Sequence, residues 1–256
     1  MSENPQDGSS RPTVVLVHGG FADASSWNAV VERLQAEGVQ VTAPANPLRG
    51  IAIDSAYIAS FLNQIPGPVL AVGHSYGGAV ITNAATNANN VVGLVYVAAF
   101  APDEGESLAD IGSNSRDSVL LPALDALQYP TGQAQETATE FAIKPESYHD
   151  AFAADLPAEQ IPVLAATQHP FAELGFTEPS GEPAWKRLPS WAVVPTGDKA
   201  AGSDVVRSMA DRAGAEITVA EGASHVPMMS QPEVVADVIL TALAAAPQKD
   251  EQLGAR

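Results

Sequence analysis

Apolar residues in the first hundred positions recur with two alternating periods. Thr13–Val17 (TVVLV) is a short β-branched run ended by His-Gly-Gly, of the kind that lies buried on both faces of a sheet. Trp27–Glu37 then places Val30, Val31 and Leu34 at helical spacing, and Gly38 follows as a stop. Val39–Ala43 predicts a second strand, and Ile53–Ile65 carries Ile58, Phe61, Leu62 and Ile65 on one helical face. Pro68–Val72, Gly77–Thr86 and Val91–Ala98 continue as strand, helix and strand. The succession βαβαβαβ predicts a parallel sheet wrapped by helices.

After Phe100 the pattern breaks into short amphipathic pieces with frequent Pro and Gly, as far as about Ser190. Such a stretch exceeds any simple loop and predicts an inserted helical lid over 101–190. Trp191–Pro195 (WAVVP) then resumes as a strand. A helix at Val205–Ala213, a strand at Glu216–Ala220 and a closing helix at Pro232–Ala245 follow. The core is therefore expected in two pieces, 13–100 and 191–246, with 1–12 as a flexible lead and 247–256 as a polar tail.

Composition narrows the classes of function. With 256 residues, 46% of them hydrophobic and 16% charged, the chain suits one large globular domain. A net charge of −18 carried against only 12 Lys and Arg argues against nucleic acid as a partner, since phosphate backbones are bound through basic side chains. Cysteine is absent, which removes disulfides, thiolate nucleophiles and Cys-ligated metals. Neither a signal-peptide apolar region nor a run of membrane-spanning length occurs, so no membrane partner is expected and the cytoplasm is the simplest location. The oligomeric state stays open, a homodimer included.

The sharpest local signal is VLAVGHSYGGAV, in which a strand runs into Gly73-His74-Ser75-Tyr76-Gly77 and then a helix. G-x-S-x-G in that context places Ser75 on a tight turn as a nucleophile, with the flanking glycines avoiding a steric clash. A serine hydroxyl needs an oriented base, and His225, after the Glu216–Ala220 strand, falls at the sheet edge where ligands bind. Asp198, directly after Trp191–Pro195, is the favoured acid, with Asp103, after Val91–Ala98, as its rival. Asp204 and Asp211 read as helix start and helix surface. For a tetrahedral oxyanion, the backbone N–H of Tyr76 is one expected donor and that of Gly20, or else Phe21, the second. His18 reads as a brace for its turn. Phe21 and Trp185 are the expected substrate contacts among the aromatics of the turn and lid. No zinc-spaced histidines, Walker loop or dinucleotide fingerprint occurs, so neither metal nor cofactor is expected.

These motifs together, HGG after the first strand, GHSYGG, the GDKA turn and the late ASH, resemble the α/β-hydrolase superfamily from about Thr13 to Ala245. The VHGGFADASSW opening is similar to the small esterase branch that includes plant methyl esterases, hydroxynitrile lyases and related bacterial serine hydrolases. The resemblance implies an α/β-hydrolase fold with a mostly parallel central sheet, helices on both faces and an inserted lid. It also implies cleavage of a small-molecule carboxylic ester, lactone or thioester through a Ser-His-Asp triad. Cofactor-free lyase or oxygenase chemistry by the His-Asp pair, and ligand binding without catalysis, are the alternatives. A serine at 75 disfavours the aspartate-nucleophile dehalogenases and epoxide hydrolases. Gly19 and Val226 stand where the hydroxynitrile lyases carry threonine and lysine, which disfavours cyanohydrin cleavage.

Overall fold

The computed structural model describes residues 11–132 and 135–246. The lead expected at 1–12 therefore falls mostly, and the tail expected at 247–256 wholly, outside the described residues. The chain runs β1 (Thr13–Val17), α1 (Asn28–Ala36), β2 (Val41–Thr42), α2 (Ile51–Asn63), β3 (Val69–His74), α3 (Tyr76–Ala84) and β4 (Val91–Val97). After an intervening segment come β8 (Ser190–Pro195), α8 (Ser203–Arg212), β9 (Glu216–Ala220), α9 (Pro227–Ser230) and α10 (Pro232–Ala245).

These strands form one six-stranded sheet in the order β2-β1-β3-β4-β8-β9, every neighbouring pair parallel. Every residue of β3, β4 and β8 is buried, which is why these segments read as unbroken apolar runs and not as alternation. β9, at one edge, keeps exposed positions, and β2, at the other, is two half-buried residues. Parallel crossovers are right-handed, so the reversal between β1→β2 and β2→β3 puts α1 on the face opposite α2 and α3. The crevice between the carboxyl ends of β1 and β3 is thus a topological switch point, the usual ligand site of an open α/β sheet.

The intervening segment differs from a purely helical lid. It holds α4 (Leu108–Ser113), α5 (Pro145–Phe152), α6 (Ile161–Thr167) and α7 (Glu173–Thr177), but also a second sheet. β5 (Leu124–Pro130), β6 (Thr137–Ile143) and β7 (Phe171–Ala172) pair antiparallel in the order β5-β6-β7. The strand signal was present in the alternation of TATEFAI and in the Pro130-Thr131-Gly132 turn before it. This small sheet is tied to the core by Arg49, whose guanidinium meets Glu140 at 2.6 Å and lies 4.3 Å from the centre of the Tyr129 ring. Among the described residues no helix is long and apolar enough to cross a membrane.

Candidate active site

Ser75 connects β3 to α3 with φ 52° and ψ −124°, a left-handed conformation that costs a non-glycine residue ~1–3 kcal/mol. Three backbone bonds hold it there. Its N–H donates to the Val97 carbonyl at 3.3 Å, and its own carbonyl accepts from Gly78 at 3.0 Å and Phe100 at 3.1 Å. Close approach explains the glycines: a Cβ at Gly73 would stand 2.5 Å from the Gly77 carbonyl oxygen, and one at Gly77 would strike the Val17 carbonyl. The turn after β1 abuts this one, since a Cβ at Gly19 would lie 2.6 Å from that of Ser75.

His225 is buried, and its Nδ1 meets Asp198 Oδ2 at 2.8 Å. The other carboxylate oxygen of Asp198 accepts the backbone N–H groups of Ala200 at 2.9 Å and Ala201 at 3.0 Å, with Gly202 at 3.5 Å. The acid is thus aimed by backbone that cannot rotate away. The His225 turn is pinned twice more. His74 Nε2 donates to its carbonyl at 2.8 Å, and the hydroxyl of neighbouring Ser224 donates to Asp155 of the intervening segment. Because the His74 Nε2 faces an acceptor, it must carry the proton, leaving Nδ1 bare and unpaired. Burial, with His225 nearby, holds the His74 pKa well below the ordinary histidine value.

Asp103 has no such setting. Its carboxylate meets Lys186 Nζ at 2.5 Å near the surface, and that cation holds its pKa below the usual range. Trp185 likewise leaves the cleft: its indole donates to the Pro102 carbonyl at 3.0 Å and flanks Arg212 and Lys186. Trp185, expected as a substrate contact, lies on the short 184–186 turn at the β4 rim and does not line the two cavities beside Ser75. His18 braces its turn, accepting from the Asn46 N–H at Nε2 and donating from Nδ1 to the Gly19 carbonyl, both at 2.9 Å.

At Phe21, φ is +60° and the backbone N–H donates to the His169 carbonyl at 3.0 Å, while its carbonyl accepts the Tyr148 hydroxyl at 2.9 Å. No hydrogen bond leaves the Gly20 N–H among the described residues, and the Tyr76 N–H is at the open first turn of α3. Sequence reasoning missed His74 and Asp54. Asp54 is fully buried on α2 and accepts the Tyr76 hydroxyl at 2.8 Å and the Arg49 N–H at 3.0 Å. Its pKa is pushed up chiefly by burial, against the pull of the Tyr76 hydrogen bond. The signal was an acid sitting in the buried Ile51, Ser55, Ile58 and Leu62 stripe.

Ser75, Tyr76, Gly20, Phe21 and His225 line one cavity of ≈30 Å³, roofed by Phe152, Phe171 and Phe176. Among the described residues no hydrogen bond joins Ser75 to His225; both line this space. The cavity adjoins a chamber of ≈540 Å³ bounded by α4, β5 and α7.

A strained serine on a strand-to-helix turn, with a buried His-Asp pair from later strands of the same parallel sheet, defines the α/β-hydrolase class. Residues 14–238 match the model of the Alpha/beta hydrolase family, and the chain belongs to it. It is 28% identical over 247 residues to a pyrethroid hydrolase of Sphingobium wenxiniae, covering 88% of this chain and 85% of that one. Among solved structures it resembles polyneuridine aldehyde esterase, with a TM-score of 0.76, 20% identity and coverage of 91% and 99%. A methylesterase from Arabidopsis superposes with a TM-score of 0.73 at 19% identity, over 91% of this chain and 99% of that one.

Proposed function

We propose that the chain hydrolyses a small-molecule carboxylic ester through an acyl-enzyme on Ser75. The observation that carries this reading is the buried Asp198–His225 pair opening onto the same cavity as a serine held at positive φ. The names of its relatives, a pyrethroid hydrolase and plant esterases, point to the same bond type.

In the reaction Ser75 Oγ attacks the ester carbonyl while His225 Nε2 takes its proton. That hydrogen bond is of the kind that commonly tightens only when substrate is bound. Asp198 holds the Nδ1–H and stabilises the imidazolium. The oxyanion is met by the N–H groups of Tyr76 and Gly20. Phe21 serves as a wall and not as the second donor, because its N–H is already given to His169. Imidazolium protonates the leaving alcohol, and water, activated by the same histidine, releases the acid. Asp54 positions Tyr76 by its hydroxyl and so steadies the first donor.

Ser75→Ala should lower p-nitrophenyl butyrate turnover by about 10⁴-fold or more while circular dichroism stays unchanged. A fluorophosphonate probe should label Ser75 in the parent alone, as read by mass spectrometry. Parent-like turnover by the variant would sink the reading.

A further inference from the structure

The cavity at Ser75 has room for the reacting group and little more, so the rest of a substrate must extend beyond it. Six residues, Phe100, Leu108, Leu120, Phe176, Ala200 and Ala201, are shared with the ≈540 Å³ chamber. The chamber is of the size, ~300–1,000 Å³, that accepts small organic molecules. Its further wall is apolar at Leu121, Leu124, Ala126 and Phe141, with Ser113, Ser115 and Ser118 toward the rim. No Lys, Arg or His lines it, and Glu173, exposed on α7, is the one formal charge among its lining residues. Behind the rim, Ser115 donates to Asp204 at 2.7 Å, and the Asp204 N–H donates to Asp117 at 3.1 Å. Arg116 is drawn to Asp204 at 3.7 Å and does not line the chamber, whereas Glu173 does.

We propose that this chamber receives the larger half of a neutral, apolar ester and that Glu173, with no Lys, Arg or His among the residues lining the chamber, turns away esters bearing a carboxylate. The proposal rests on the Ser75 hydrolase reading and adds the class of substrate to it. An apolar group entering the chamber loses water contact along its length, and the affinity grows with each methylene. A carboxylate there would meet a like charge and no counter-ion, on a chain whose net charge is already −18.

Gly112 on α4 supplies a clean test. It lines the chamber, and a Cβ built on it meets nothing within 4 Å, so Gly112→Phe fills the space without a backbone clash. The variant should lose about tenfold in kcat/KM for p-nitrophenyl decanoate and less than about twofold for methyl acetate, followed by pH-stat. Glu173→Lys should raise kcat/KM about fivefold or more for the p-nitrophenyl monoester of a ten-carbon dicarboxylic acid, leaving the decanoate within about twofold. Equal losses on both esters with Gly112→Phe, or no gain on the monoester with Glu173→Lys, would overturn the chamber assignment while leaving the hydrolase reading intact. If no ester is turned over by the parent, the hydrolase reading falls. The chamber is then judged by calorimetric binding of p-nitrophenyl decanoate to Ser75→Ala: about tenfold weaker affinity on adding Gly112→Phe keeps it, and equal affinity removes it.

Discussion

β4 and β8 are neighbours in the sheet and each runs into a turn carrying an aspartate, yet the two carboxylates have opposite surroundings. Asp103 lies at the surface against Lys186, where water and salt screen the pair and its net worth is small. Asp198 is buried, one oxygen on His225 and the other on consecutive backbone N–H groups. A carboxylate that is to orient an imidazole must be withdrawn from competing water and held by donors that do not rotate. Only the β8 turn provides both, because its chain curls back over its own aspartate, whereas the β4 rim is left open to Lys186, Trp185 and Arg212.

The contrast can be broken by substitution. Asp198→Asn should cost about 10³- to 10⁴-fold in kcat with the fold retained, since the amide reverses the hydrogen-bond sense toward His225 Nδ1. A milder loss than that of Asp103→Asn would transfer the acid role to the β4 rim. His74→Leu, which strips the support under the His225 carbonyl, should lower kcat about tenfold with KM little changed; His74→Gln, which keeps a donor, should recover part of it.

Stability should respond to pH through the same support. His74, His18 and His169 all have pKa values lowered from 6.5, mainly by burial, so the folded chain keeps them neutral while the unfolded chain takes up protons. Their contribution is complete above pH 6.5 and is lost as pH falls toward the folded values, by up to ~1.4 kcal/mol per pH unit for each of the buried His74 and His18 and by less for the half-buried His169, where solvent weakens the effect. Urea midpoints measured at about pH 7.5 and 5.5 should show a smaller drop in His74→Gln than in the parent; parallel drops would contradict the assignment. The smallest effects belong to the β4 rim, where Asp103→Asn and Trp185→Phe should each leave kcat/KM within about twofold.

Much of this site was legible because its signals are local. The G-x-S-x-G turn encodes its own geometry through glycines that permit close backbone approach, and the run of wholly apolar strands announces a sheet covered on both faces. The intervening segment was less legible. Its strand β5 is mostly exposed and β6 mostly half-buried, so their burial pattern is faint, and the expectation of helices alone missed them. His74 was visible only as the variable residue of a motif. Asp54 was visible only as a polar interruption of an apolar stripe.

By itself the sequence determined the order of strands and helices of the main sheet, the Ser75 turn and the placing of His225 and two candidate acids at one sheet edge. Those follow from periodicity and steric rules that act within a few residues. Tertiary structure buried Asp198 against His225 and left Asp103 at the surface with Lys186, set the Trp185 indole on the Pro102 carbonyl, engaged the Phe21 N–H with His169 and opened the chamber beside Ser75. Each of these depends on groups far apart in sequence, and burial and hydrogen bonding between such groups exist only once the sheet has assembled.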